Sequence, residues 1–550
     1  MMRIRWPRPR TNETHALSNS AFRLIIGLVL LFGVVLPANA QEEETLRLRQ
    51  RLKSGVLRWG GDAEGGAPYQ LRDPKDPDRV IGYEVELADA LAEVLARRIG
   101  ATLKAEFIQY QFDTLDAGLL ESKDFDVIIC GKEIVPENTE KMRFSRPYYI
   151  YKQQLVVRRD ESRIESIRDC GDKSVGTLSG SASQRLLEQY RVGRIEGYDD
   201  QVAPYLDLEL GRLDAVLLDT PITLYYASTN PKLRYAGKPI GKGEYGVAFR
   251  PDDEELTRAT DVAIGELITS GLLRQIYRRW HLWNPDQAAL ARAPQREAEL
   301  KGLGFDASGQ PLVADEPPPP DAVDIDLIRA SARSFTLDVY LPLLVRAAVM
   351  TVFLSACSMA LAVALGLLVA VGRLYGPAPV RWLSLAYVEF FRGIPLLLLL
   401  FFLYFGLAAY GLAMPALVAG IIGFGINYAA FEAEIYRTAI LAVPRGQWEA
   451  GRALGMSDGL TFRRIIFPQA IRTALPPMTN DFVALFKDTS LISVIAVTEL
   501  TKEYLILAKS SLKFAEIGLA TAVLYLLMSV PLGYLSRYLE KRWGKGLLVG

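Results

Sequence analysis

The residues best suited to chemistry in this 550-residue chain lie within and beside long apolar runs. Glu389 and Arg392 stand in YVEFFRGIP, Glu432 and Glu434 in NYAAFEAEIYR, and Lys487 and Asp488 in FKDTSLIS. A charge in hydrocarbon is costly, so each must face a helix bundle, a water-filled path or an opposite charge. As ion pairs or helix ends they serve the fold; along a path they touch a passing solute. A second group fills residues 444–477, where Arg445, Arg452, Arg463, Arg464 and Arg472 lie between apolar spans. Arginine-rich segments between spans face the cytoplasm. Within this loop, residues 449–455 have helical spacing, with Ala450, Ala453 and Leu454 on one face. Gly455 suits the stop, and Ser457 or Asp458 can cap a second helix. The product is a rigid helix-turn-helix below the membrane, a handle for a soluble motor.

The chain has no phosphate-binding G-x-x-x-x-G-K-[ST] loop, so ATP hydrolysis by that route must come from a separate subunit. No nucleophile, acid–base pair or metal constellation stands out, and His15 and His281 make no metal cluster. The expectation is a non-enzyme without a cofactor. Lys plus Arg number 63 and Asp plus Glu 63, so no basic field points to nucleic acid. Three cysteines (Cys130, Cys170 and Cys357) make no disulfide framework, although Cys130 and Cys170 could pair outside the cytoplasm.

Four segments must position these residues. Residues 1–40 read as a signal peptide: five arginines, an apolar run over 24–36, then Ala38-Asn39-Ala40. That run is about 13 residues, short of the roughly 20 that span a bilayer. Residues 41–285 alternate short apolar runs (56–59, 127–130, 154–157, 215–218) with helical patterns at 83–99 and 255–280, which predicts an extracytoplasmic α/β domain. Residues 286–335 are charged, then turn-rich, then Pro317–Pro320, and read as a linker. Residues 336–550 predict an all-α membrane domain of five transmembrane helices over 342–372, 383–411, 415–437, 479–503 and 514–536. With the first domain outside, Arg373 and Arg381, Arg437 and Arg445, and the basic end from Arg537 to Lys545 all fall inside.

Two resemblances cover most of the chain. Glu449-Ala450-Gly451, Gly455, Ile465 and Pro468 resemble the EAA loop of ABC importer permeases, with Gly451 where alanine is usual and Phe467 where leucine is usual. The resemblance implies that this loop docks on a cytoplasmic ABC ATPase subunit. YVEFFRGIPLL, EIYRTAILAVPRGQWEA and LFKDTSLISVI are similar to HisM/HisQ-like permeases of the polar amino-acid uptake family. Such permeases work in pairs, which implies a homodimer through the permease domain, embedded in lipid of the inner membrane. The order SGVLR at 54, GYEVEL at 82, FDVI at 125, FSRPYY at 144 and GRLDAV at 211 is similar to family 3 periplasmic solute-binding proteins. That implies two α/β lobes, 41–150 with about 238–285 and about 155–235, closing on a small polar solute.

Carried over by position, the implied ligand residues are Asp62, Tyr69, Phe112, Gly131, Glu133, Asn138, Gly180, Ser181 and Asp219. Asp219 matches the carboxylate that holds a ligand amino group. The stretch Glu133-Ile134-Val135-Pro136-Glu137-Asn138 departs from the family. Asn138 stands where an arginine usually clamps the ligand carboxylate, and asparagine does not replace that charge. Either Lys132 or Arg143 restores the clamp, or the solute is an amine or cation lacking an α-carboxylate. The expectation is a substrate-binding and permease subunit of an ATP-driven importer of polar amino acids or related amino-containing solutes. The rival reading is a membrane ligand sensor, disfavoured because only a few basic residues follow Arg537.

Overall fold

The computed structural model describes residues 45–543, apart from 65, 74, 77, 229, 314–316, 329–336, 496 and 512. The signal peptide expected over residues 1–40 lies outside the described residues. In the first lobe, strand Val56–Gly61 runs parallel to Lys104–Gln109 on one side and Val127–Ile128 on the other, with Trp59 opposite both Phe107 and Val127. Ala248–Phe249 and Arg143–Phe144 close the sheet antiparallel. The crossover helix Tyr83–Ile99 buries Leu87, Leu91 and Leu95 at i, i+4 spacing and ends at Gly100, φ 61°. The second lobe orders its strands Leu233–Tyr245, Tyr149–Arg158, Ala215–Asp219, Ser174–Leu178 and Arg194–Tyr198. The chain enters this lobe by Tyr149–Arg158 and leaves by Leu233–Tyr245, two long antiparallel strands that join the lobes. The strand run to Tyr245 keeps residues 238–245 in the second lobe, where a return at about 238 was expected. The helix expected over 255–280 is two helices, Glu254–Thr269 and Leu272–Arg279, because Gly271 turns the chain at φ 79°.

Much of the segment expected as a linker packs on the first lobe. Helix Arg296–Leu303 buries Glu299, Leu300 and Leu303. Arg146 grips Glu299 with two parallel bonds of 2.7 and 2.8 Å. Farther on, Val323 N–H donates to the Arg279 carbonyl at 2.7 Å, and Ile325 is buried. The dense charge of 292–301 masks two buried leucines and one buried glutamate whose arginine partner lies far away in sequence.

The membrane half is helical. Three helices are long and apolar enough to cross a bilayer, with spans Asp338–Tyr375, Ala416–Leu441 and Phe514–Leu539. A fourth candidate is the pair Ala378–Gly393 and Leu396–Ala409, bent by 105°. The bend falls where Pro395 removes an N–H and Ile394 is extended at φ −92°, ψ 134°. The stretch 479–503, expected as one span, is instead the end of helix Phe467–Asp488, a 3₁₀ stretch Thr489–Ile495, and helix Leu500–Ser511. Five continuous spanning helices are therefore not seen among the described residues. Of the charged groups flagged in these spans, Glu434 pairs with Arg373 and with Arg437 at 2.8 Å, and Asp488 accepts from Tyr428 at 2.7 Å. Glu432 is fully buried, while Glu389, Arg392 and Lys487 are exposed on this chain.

Candidate functional site

Between the lobes lies a cavity of about 120 Å³, and all nine candidate ligand residues line it. Asp219 ends the strand Ala215–Asp219, fully buried along its length, so its side chain leaves the sheet edge into the cleft. It accepts from Ser183 Oγ at 3.3 Å and from the Tyr245 hydroxyl. Burial, and then the charge of Glu133, hold the Asp219 carboxyl well above the usual carboxylate range. Tyr69 meets Tyr245 hydroxyl to hydroxyl at 2.9 Å, and Tyr151 stacks on Tyr245 at 4.2 Å. The cavity therefore has one aromatic wall with Asp219 set into it.

Asp62 is committed to its own loop. It accepts from Glu64 N–H at 2.8 Å, Gln109 Nε2 at 3.0 Å and Phe112 N–H at 3.0 Å, which sets Phe112 against the cavity. Gly131 takes φ 54°, and its N–H donates to buried Glu84 at 2.8 Å. Burial pushes Glu84 up to about 7 against four hydrogen-bond donors, among them Tyr148 and Gly131. A Cβ at Gly131 would lie 3.0 Å from the Tyr69 ring, so glycine suits both the turn and the close approach. Ser181 caps helix Ala182–Gln189, accepting from Gln184 N–H at 3.2 Å, after Gly180 at φ 71°.

Glu133 crosses the cleft. Its two oxygens lie 3.0 and 3.1 Å from Ala182 N–H, and Arg185 Nη2 donates to it at 2.8 Å. Asn138 Nδ2 donates to the Glu133 carbonyl at 2.9 Å and so braces the turn. Neither proposed substitute for the clamp is free. Lys132 is bound to Asp116 at 2.5 Å, and Arg143 donates to the Pro251 carbonyl at 2.6 Å, away from the cavity lining. Sequence reasoning missed Arg185, Tyr245 and Glu64. Arg185, four residues after the cap Ser181, lies one helical turn on and on the same face; that spacing was the available signal. Cys130 and Cys170 are both free, one buried in each lobe, so they do not pair.

The membrane half docks at the cleft mouth. Lys502 and Lys509, two turns apart on helix Leu500–Ser511, both reach Glu64, Lys509 at 3.1 Å. Lys509 also lies 3.6 Å from Asp200 of the second lobe, so one ammonium touches both lobes. Glu64 and Lys502 are 2% and 1% exposed, which makes this a buried ion cluster. Asp124 and Tyr110 of the first lobe meet the Tyr404 hydroxyl at the other end of the contact.

At the far end, helix Arg445–Ala453 stops at Gly455, φ 72°, and Ser457 caps the next turn by accepting from Leu460 N–H at 3.3 Å. Glu449, Ala450, Ala453 and Leu454 are exposed, Gly451 is buried, Ile465 is half-buried and Pro468 is exposed. A Cβ on Gly451 would lie 2.5 Å from Thr461 Cγ2, which explains glycine where alanine is usual.

A two-lobed solute-binding domain seated on a helical membrane domain that carries such a handle defines a membrane transport component with its own receptor. Residues 57–282 match the bacterial extracellular solute-binding proteins, family 3, and residues 362–545 match the binding-protein-dependent transport system inner membrane component. The probable amino-acid ABC transporter permease protein YckA of Bacillus subtilis (strain 168) is 38% identical over 193 residues, 35% of this chain and 85% of that protein. The glutamine transport system permease protein GlnP of Escherichia coli (strain K12) is 37% identical over 204 residues, 37% of this chain and 93% of that protein. Among solved structures, the ArgBP mutant P235GK from T. maritima is 29% identical and covers 42% of this chain and 99% of that one, at a TM-score of 0.39. The chain belongs to the amino-acid ABC transporter permeases, an inner-membrane transport family, with a family 3 solute-binding domain fused ahead of the permease domain.

Proposed function

We propose that this chain imports a small amino-bearing solute, polar amino acids or related compounds, using energy from a cytoplasmic ABC ATPase. The observation that carries the reading is the buried carboxylate of Asp219 in a cavity whose rim residue Glu64 is held by lysines of the permease half. The solute's ammonium sits on Asp219 against Tyr69 and Tyr245. Phe112, Gly131, Glu133, Asn138, Gly180 and Ser181 shape the remaining wall, and Asp62 orders the loop that holds Phe112.

The ATPase takes the exposed face of Ala450, Ala453 and Leu454, with Glu449 at its edge, and Gly451, Gly455, Ile465 and Pro468 set the loop's shape. Residues 1–40 serve as a signal peptide, and the binding domain extends past 285 to include Ile325 and Ile328, which pack on the core. Five crossings follow, the second bent at Pro395 and the fourth built from Phe467–Asp488 and the turns after it. Two copies form the pore. A homodimer gives Glu389, Arg392 and Lys487 a protein or water surface in place of lipid.

Uptake of labelled L-glutamine, L-arginine and agmatine into cells lacking the native copy, complemented with wild type or Asp219→Asn, tests this. Energy-dependent uptake of one of them by wild type, lost in the variant, is the expected result. Uptake that ignores the variant refutes the site.

A further inference from the structure

Glu133 belongs to the first lobe, and helix Ala182–Gln189 to the second. The opening N–H of a helix beside a guanidinium is a recognition set for a carboxylate. In this protein the set of Ala182 N–H and Arg185 is already filled, by Glu133 reaching across the cleft at 2.8 to 3.1 Å. The opposite holds at Asp219. Arg185 is paired with Glu133, so Asp219, only 9% exposed, has the neutral hydroxyls of Ser183 and Tyr245 as its donors. The lining carries Asp62, Glu64, Glu133, Asp199, Asp200 and Asp219; Glu64 and Asp200 already meet lysines of the permease half and Glu133 meets Arg185, whereas Asp219 is bonded to hydroxyls.

We infer that Glu133 is a built-in carboxylate that ties the lobes together and reserves the cavity for a cationic solute without a carboxylate of its own. The inference rests on the reading of this cleft as the solute site and narrows its amino-bearing solutes from amino acids to those without a carboxylate. A solute carboxylate has to displace one that is tethered, and a tethered group competes at high effective concentration. A solute ammonium or guanidinium, in contrast, meets the uncompensated Asp219 and the faces of Tyr69 and Tyr245, where a desolvated cation is attracted to the rings.

The test uses the full chain in lipid nanodiscs and a matched pair of probes. L-Arginine and agmatine share the guanidinium and the amine and differ by the carboxylate. Wild type binds agmatine about tenfold tighter or more, the scale of one charge-assisted contact. Glu133→Gln empties the Ala182–Arg185 set; L-arginine then gains about tenfold and agmatine loses about as much, reversing the preference. A merely structural Glu133 would move both probes together. Arg185→Met provides a second variant: it gives L-arginine no gain alone and cancels the gain of Glu133→Gln when combined. Tighter binding of L-arginine than agmatine by wild type, or an unchanged ratio in Glu133→Gln, overturns the inference. L-Arginine binding that depends on Asp219 and ignores Glu133 overturns this inference alone. Binding of neither probe by wild type overturns the reading of the cleft as an amine site, and the inference with it.

Discussion

Asp219→Asn is expected to move affinity and stability in opposite directions. The carboxylate is buried and close enough to Glu133 for their charges to oppose, and its charged form is therefore disfavoured in the solute-free protein. Removing that charge while keeping the shape relieves the strain. Relieving a buried charge of this kind is worth on the order of a few kcal/mol. For a domain of this size each kcal/mol moves Tm by about 2–4 °C, so the melt of the solute-free binding domain rises by several degrees. Solute binding loses a charge-assisted hydrogen bond to a buried anion, about 1.5–3 kcal/mol, or roughly 10- to 150-fold in Kd. Differential scanning fluorimetry of the purified chain with and without solute, beside calorimetry, reads both quantities. A variant that melts lower and still binds as wild type would refute the reasoning, because Asp219 would then be a structural acid whose partners need its charge.

Four further outcomes follow from the contacts described above. Because Asp219 titrates above its ordinary 3.8, ammonium binding requires it to lose a proton; affinity falls as pH drops through that raised range, and calorimetry in buffers of different ionisation enthalpy reads proton release. The solute-free domain has the opposite trend, since a raised carboxyl contributes stability fully below 3.8 that is lost as pH rises through the folded value. Lys502→Met strips one of two lysines from buried Glu64; losing a whole buried pair costs about 3–5 kcal/mol, less here because Lys509 remains. Faster hydrogen exchange over residues 62–66 and 199–202 in the full chain, with no change at residues 174–178, reports the undocking. Gly451→Ala overpacks against Thr461 by about 1–3 kcal/mol and lowers solute-stimulated ATPase activity of the assembled transporter, and adding Thr461→Ala restores it.

How much was legible depended on whether the deciding partner was local. The helix Tyr83–Ile99 was visible because its apolar stripe, early glutamates and terminal Gly100 lie within one segment. The handle at 445–461 was visible for the same reason: Gly455 and Ser457 do their work within two or three residues. The segment after residue 285 was misread because Glu299 looks solvated until Arg146, far away in sequence, is placed against it. The fourth span was misread because hydropathy averages across Asp488 and Thr489, where the backbone leaves the α-helix; Thr489 Oγ1 returns to the Phe486 carbonyl at 2.7 Å.

The cleft is the instructive case. Position and residue type assembled nine residues that the fold brings around one cavity, yet a key relation among them was invisible. Asn138 in place of an arginine suggested a lost clamp, and Lys132 and Arg143 were the nearby cations able to replace it. Both are bound elsewhere, and among the described residues the guanidinium that reaches Glu133 is Arg185 of the other lobe. Glu133 is not a free charge on the pocket wall; it completes a bond between lobes. On the proposed reading, Asn138 offers the solute's carboxylate no cation, and Glu133, five residues earlier, supplies a carboxylate from the protein. If that proposal holds, Asn138 and Glu133 act together on specificity, and neither residue read alone reveals it.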